Sequence, residues 1–444
     1  MKLTLLWSDI LIWSLFVVVV VWGAWLARVE QVRGIWHRIF RSAVAMASAT
    51  ILLFYLLVAL LDSVHFRLAV ASSDAQATRH YHAQMQTPLD RLLLHTIEQS
   101  ERTYSAPFAT QEYTRSIVVD PTGKTTQRYL PLVHVGSGED IVSRSLIALL
   151  WGLGIAGGMI GLHLLWGRGR EATPLPWWSA YLTFGVLVVL MVWLYSLSHS
   201  YHVFGTDKVG GDIFYQSLKS IRTGVLIGVL TTLIMLPLAL ILGVSAGLFG
   251  GWVDDAIQYL YTTLSSIPSV LLIAGGVLVM GVMMDNNPQW FETTQERSDL
   301  RLLFLVGILG LTSWTGLCRL IRAETLKLSQ LDFVTAAKAF GVGRWGIMRR
   351  HIIPNLMHII LISVVLDFSG LVLTEALLSY VGVGVDPTMY SWGNMINQAR
   401  LEMAQEPMVW WSLLCAFVFM FLLVLSANLF SDRVQKVLDP RNKV

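Results

Sequence analysis

Asp332-Phe-Val-Thr-Ala-Ala-Lys-Ala-Phe-Gly-Val-Gly-Arg-Trp-Gly-Ile-Met-Arg-Arg-His-Ile-Ile-Pro-Asn355 is the stretch on which the reading of this chain turns. It lies between two long apolar runs and is strongly basic. Leu331 to Phe340 is built of helix formers, with Ala336, Ala337 and Ala339 at its centre, and such small residues let another surface come close. Gly341 and Gly343 end that helix and turn the chain. Arg344, Arg349 and Arg350 follow on a second helical stretch. Pro354 opens the next apolar run, where its missing N–H does no harm. Two meanings stay open at this level: an ordinary hairpin between two membrane spans, or a docking surface for a soluble partner.

The rest of the chain sets the class. Of its 444 residues, 55% are hydrophobic and 14% charged, with mean hydropathy +0.60. Soluble domains carry about 25% charged residues, so the composition predicts a polytopic membrane protein. The net charge of +3 gives no indication of a nucleic-acid partner, and the cations are better used to assign topology. Seventeen tryptophans suit two interfacial belts. Cys318 and Cys415 lie in or beside apolar runs, match no metal spacing, and read as small buried hydrophobes. Lys2 precedes an apolar run to Ala27 that is longer than a signal-peptide core and has no small-residue cleavage site, so it reads as a retained span.

At about 20 apolar residues per span, nine spans are expected, near 5–27, 43–61, 145–166, 178–198, 223–247, 262–283, 301–321, 356–378 and 409–430. The sixth is interrupted early by Ser265, Ser266 and Pro268, which a membrane tolerates only inside a bundle or beside a cavity. Arginine and lysine cluster after span one (Arg28, Arg33, Arg38, Arg41), after span three (Arg168, Arg170), after span seven (Arg322, Lys327, Lys338, Arg344, Arg349, Arg350) and in the tail (Arg433, Lys436, Arg441, Lys443). These segments alternate correctly for one side, so the positive-inside rule makes them cytoplasmic, with the N-terminus outside and the C-terminus inside. The loop from Gly250 to Asp255 is also inside, yet carries acid.

Between spans two and three, residues 62–144 form the one sizeable polar insert. Its first half has a helical rhythm at Leu89, Leu92, Leu93 and Ile97. Its second half reads as a hairpin, with β-rich runs Arg115–Val119 and Gln127–Val135 flanking the turn-forming Asp120–Lys124. A small extracytoplasmic α+β domain is expected. Its histidines, His65, His80, His82, His95 and His134, read as solvated surface residues rather than a metal site, because His80 and His82 at i,i+2 do not share a helix face. The chain has no Gly-x-x-x-x-Gly-Lys-Ser/Thr loop, no His-Glu-x-x-His helix, no Gly-x-Ser-x-Gly elbow and no Cys-x-x-Cys pair, so nothing suggests an enzyme. In span eight, Asp367 either lines a pathway or subunit interface, or makes a satisfied interhelical hydrogen bond.

The docking loop resembles the EAA loop of ABC-importer permeases. That loop reads Glu-Ala-Ala, three residues, Gly, nine residues, then Ile-x-Leu-Pro. Here Thr335-Ala336-Ala337 and Gly341 are followed at the same spacing by His351-Ile352-Ile353-Pro354, with Thr335 in place of the glutamate. Arg350-His351-Ile352-Ile353-Pro354-Asn355 is similar to the Arg-His-Ile-Leu-Pro-Asn of the dipeptide, oligopeptide and nickel branch. Further motifs resemble its C-type subunits. They are His202-Val-Phe-Gly205-Thr206-Asp207-Lys-Val-Gly210-Gly211-Asp212-Ile213, with Gly211 where arginine is usual, and Ala246-Gly-Leu-Phe-Gly-Gly-Trp252-Val-Asp254. Ser266-Ile-Pro268-Ser269, Glu375-Ala-Leu-Leu-Ser-Tyr-Val-Gly382-Val-Gly384, Ser391-Trp392-Gly393 and Leu438-Asp-Pro-Arg441 complete the series. The resemblance runs from about Ala180 to the end.

It implies an all-α polytopic permease subunit of an ATP-driven importer for peptides or related solutes, in a bacterial inner membrane. Its partners would be a second permease, ATPase subunits that bind the ATP and magnesium, and an extracytoplasmic binding protein. This chain itself would bind no cofactor or metal. Residues 178–444 would be the six-helix core, with the coupling loop at 322–355. Residues 1–61 and 145–177 would add three spans, and 62–144 the insert. Thr335, Ala336, Ala337, Gly341 and Arg344 would couple to the ATPase, with Asp332, Glu324 or the arginines replacing the absent glutamate. Pro354, Glu375 and Trp392 are carried over with the other motif positions. Two rival readings are a secondary transporter or channel, for which no repeat and only Asp367 is at hand, and a sensor whose insert binds a ligand.

Overall fold

A computed structural model describes residues 2–69, 85–119, 125–135, 141–167 and 175–438, without the side chains of Gln31 and His358. Nine helices among the described residues are long and apolar enough to cross a membrane. The chain forms two compact units, one of residues 1–225 and 387–426, the other of 226–386 and 427–444.

In the first unit, strand β1 (Lys2–Leu3) leads into span α1 (Trp7–Leu26), the amphipathic helix α2 (Glu30–Phe40) and span α3 (Ala43–Asp62). Strand β2 (Phe66–Arg67) then returns to pair antiparallel with β1. The insert continues with two short helices, α4 (Pro88–Leu92) and α5 (Leu94–Glu98), and a hairpin of β3 (Ser116–Val119) and β4 (Thr125–Arg128). The helical rhythm and the hairpin are as expected. The second strand, however, starts two residues earlier and ends seven earlier than its β-rich run, and the turn at 120–124 lies outside the described residues. Spans α6 (Ile141–Gly167) and α7 (Trp177–Leu197) follow.

Helix α8 (Ile213–Phe249) is 37 residues long, about 55 Å at 1.5 Å per residue, against about 30 Å of hydrocarbon. The expected span at 223–247 is therefore only its apolar part. In its first turns Gln216, Ser220 and Arg222 are buried inside the first unit, and the Lys219 side chain is 12% exposed. Helix α9 (Gly251–Ser266) and span α10 (Ser269–Asn286) are separate helices, so the sixth span begins at Ser269 rather than near 262. Pro268 lacks an N–H and drives Ile267 into extended backbone (φ −90°, ψ 130°), which stops α9.

The second unit continues with α11 (Thr294–Ser329), then α12 (Asp332–Ala339) and α13 (Arg344–Ile347). A wider, π-type turn at Met348–Ile352 leads into α14 (Ile353–Tyr380), where Pro354 sits at the harmless first turn. Small residues hold its helices together. A Cβ on Gly243 or Gly247 of α8 would lie 2.8 Å from the Cys318 carbonyl or 2.6 Å from the Thr325 Cβ of α11. A small-x-x-x-small pair thus lets two backbones approach, as membrane helices require. Cys318 and Cys415 are free and buried. Helix α15 (Trp392–Glu402) and span α16 (Trp411–Leu438) complete the chain.

Candidate functional site

The stretch expected to act as a coupling loop lies in the second unit. Helix α12 buries only Val334 and Ala337, one turn apart on the same face, in a core shared with Trp314, Cys318, Ile321, Ile347 and Ile352. Every other residue of the helix is exposed. Thr335 and Ala336 are on the outward surface, and the Thr335 hydroxyl donates to the Asp332 carbonyl at 2.9 Å. Gly341 takes a left-handed φ of +79°, where an L side chain is strained, and so ends the helix sharply. Phe333, Phe340 and Trp345 stand outward around it, Phe340 being 87% exposed. Arg344 reaches back over the Phe249 ring, 5.4 Å from its centroid. Of the candidates to replace the absent glutamate, Glu324 is paired with Lys327 at 2.6 Å.

Beside it, Arg322 of α11 binds Asp254 in the first turn of α9 through two bonds, Nη2 to Oδ2 at 2.7 Å and Nε to Oδ1. The bonds from Arg322 hold the Asp254 carboxyl below its usual range despite partial burial. Trp252 is 79% exposed. In α14, Glu375 is buried and accepts a bond from Ser379 at 2.7 Å. Gly382 (φ +84°) closes the helix, with its N–H on the Ser379 carbonyl and that of Val383 on Leu378. Glu375 and Gly382 thus shape a helix end. Asp367 is half-buried and makes no hydrogen bond or ion pair among the described residues.

In the first unit, the motif between Gly205 and Asp212 is a hydrogen-bonded knot onto which the insert is seated. Thr206 Oγ1 donates to the Thr103 carbonyl (2.9 Å) and accepts from the Ser105 N–H (2.6 Å). Trp411 Nε1 donates to the Thr206 carbonyl at 3.0 Å. Asp207 gathers the N–H groups of Val209 and Gly211 and the Gln216 amide. Gly210 (φ +77°) touches the insert backbone so closely that a Cβ would fall 1.8 Å from the Glu101 carbonyl oxygen. Asp212 caps α8 by accepting from the N–H groups of Phe214 and Tyr215, and its Oδ2 lies 2.9 Å from His202 Nδ1. Trp392 is buried, donates to the Ser217 carbonyl at 3.2 Å, and packs on Gly224.

Two buried charge clusters, which sequence reasoning missed, tie the extra N-terminal part to α8. Lys219 Nζ lies 2.6 Å from Asp62 Oδ1, at the end of α3, and 2.8 Å from Asp90 Oδ1 in the insert. Thr87 and Tyr215 donate to the same two carboxylates. Burial alone would raise the Asp90 pKa, but the Lys219 charge and these bonds bring it below the usual value. Arg222 donates to Asp9 Oδ1 and Ser8 Oγ of α1, each at 2.7 Å, and His65 Nδ1 lies 2.7 Å from Asp9 Oδ2. His65 is therefore buried against a carboxylate, not solvated as expected, because the fully buried Asp9 carboxylate draws in hydrogen-bonding partners. His95 is half-buried and stacked on His199 at 3.7 Å. His134 is exposed, and His80 and His82 lie outside the described residues. No group of three or more metal-binding side chains occurs among the described residues. The spacing of Tyr215, Lys219 and Arg222 at i, i+4 and i+7 was the available signal for one buried polar face.

The family model for "binding-protein-dependent transport system inner membrane component" matches residues 239–444. The glutathione transport system permease protein GsiD of Pectobacterium atrosepticum is 31% identical over 244 residues, 55% of this chain and 74% of that protein. The oligopeptide transport system permease protein OppC of Haemophilus influenzae is 30% identical over 243 residues, 55% of this chain and 71% of that one. The dipeptide transport system permease protein DppC of Bacillus subtilis is 27% identical over 240 residues, 54% of this chain and 69% of its own length. Nine apolar helices and these likenesses define the class: a multi-pass permease subunit of an ABC importer. The chain belongs to the binding-protein-dependent transport system inner membrane component family.

Proposed function

We propose that this chain forms half of the import pathway for peptides or closely related small solutes, coupled to ATPase subunits through α12. The relatives named for oligopeptide, dipeptide and glutathione transport support that substrate class. The observation that carries the coupling is α12 itself, an eight-residue helix anchored by two side chains and exposed elsewhere. Force on its outer face passes through Val334 and Ala337 into the core formed with α8, α11 and α14. Closure of ATP-bound ATPase subunits would thereby rock the spans in alternating access. With Thr335 uncharged, the contact rests on Ala336 and the apolar side chains of Phe333, Phe340 and Trp345 rather than on an ion pair. A second permease chain completes the pore and is a natural partner for the unpaired Asp367. A binding protein delivers solute on the side of the insert, with the N-terminus of this chain outside and its C-terminus in the cytoplasm.

The test is Ala336→Arg, which alters the exposed face and leaves Val334 and Ala337 in place. Cells carrying it should retain normal amounts of the chain, lose uptake of labelled di- and tripeptides, and yield less ATPase subunit on pull-down. Undiminished uptake, or a wild-type pull-down containing no P-loop ATPase, would overturn the proposal.

A further inference from the structure

The amphipathic helix α2 is used by none of the machinery above. It joins the end of span α1 to the start of span α3, so it lies at a membrane surface. Residues 27–42 hold Arg28, Arg33, Arg38 and Arg41 against the single acid Glu30. All four arginines are exposed, and none is ion-paired among the described residues. An apolar cavity of about 430 Å³ runs between the end of α1 and α2. Its walls include Val19, Trp22, Leu26, Trp36 and Phe40, with Arg33 and His37 at its edge. Gly23 leaves the wall open, having no neighbour within 4 Å of a Cβ position. Trp36 and Phe40 are stacked with centroids 5.9 Å apart, giving a flat aromatic side.

A groove of this kind, apolar along its length and cationic at its edge, matches a molecule with a long hydrocarbon tail and an anionic head. We infer that it binds one anionic glycerophospholipid, with an acyl chain along Trp22, Leu26 and Trp36 and the phosphodiester at Arg33. The occupant is a lipid rather than a free anion because the cavity wall is almost wholly apolar. It is a lipid rather than a protein helix because Arg33 lines the cavity and Arg28, Arg38 and Arg41 are exposed on the same connecting segment, which already lies in the headgroup layer. The inference holds for either leaflet and does not depend on the transport reading.

Native mass spectrometry of the full-length chain, titrated in detergent with phosphatidylglycerol or with phosphatidylcholine of the same acyl chains, tests it. The wild type should retain one phosphatidylglycerol in preference to phosphatidylcholine. Arg33→Gln should reduce that preference by about fivefold, the worth of one basic residue at an anionic surface, while leaving phosphatidylcholine binding unchanged. Gly23→Trp, which fills the groove, should abolish retention of both lipids. Inorganic phosphate in millimolar excess should displace nothing. Equal retention of the two lipids by the wild type, an unchanged preference in Arg33→Gln, retention of either lipid by Gly23→Trp, or displacement by phosphate would each overturn it. Elution of the variants as monodisperse species shows that they are folded.

Discussion

Replacing Lys219 with methionine isolates the lock between the N-terminal part and α8. The Lys219 side chain is 12% exposed, and its partners Asp62 and Asp90 are 4% and 10% exposed. Methionine fills much the same volume but removes the charge, leaving two carboxylates in one pocket with only Thr87 and Tyr215 to donate to them. Breaking a buried pair in this way costs about 3–5 kcal/mol. The triple variant Lys219→Met, Asp62→Asn, Asp90→Asn carries no buried charge there and should recover most of that loss, since a neutral replacement of a buried ion pair is close to neutral in stability. The assay is thermal unfolding of the purified chain in one detergent, read as the apparent midpoint at a fixed scan rate. The single variant should unfold well below the wild type and the triple variant between them, nearer the wild type. A single variant with the wild-type midpoint, or a triple variant no better than the single, would refute a charge-based lock.

Gly210→Ala places a Cβ 1.8 Å from the Glu101 carbonyl at φ +77° and should cost at least about 2 kcal/mol, loosening the insert to limited proteolysis; Gly316→Ala, in open space, should not. Asp254→Asn removes the charge under Arg322 and should lower the thermal midpoint by the equivalent of about 1–3 kcal/mol. The native Asp254 carboxyl titrates below its unfolded value, so its stabilisation is present above about pH 4 and lost as pH falls through the folded value. The His95 pKa is pulled down to about 4, first by burial and then by the charge of His199. The unfolded chain takes up that proton near pH 6.5, so stability should fall between about pH 6.5 and 4. His199→Gln should make the fall shallower in midpoints measured from pH 7.5 downwards, and an identical slope would count against the stacked pair.

Much of this protein is legible without coordinates. Apolar runs near 20 residues read as helical spans, because a helix of that length crosses the hydrocarbon with its N–H and C=O groups satisfied within the segment. The Ala-rich segment before Gly341 and Gly343 declares a short helix with a sharp stop, and α12 is that helix. What the sequence could not determine is which side chains meet over long separations. The apolar run expected at 223–247 leaves out the first turns of α8, because Lys219 and Arg222 look like a membrane boundary until Asp9, Asp62 and Asp90 are brought beside them. His65 reads as a surface residue until α1 delivers Asp9 to it. Local pattern fixes where backbone hydrogen bonds close, since those partners lie within a turn or so. Burial of a charge is decided by partners scores or hundreds of residues away, which only the tertiary structure assembles.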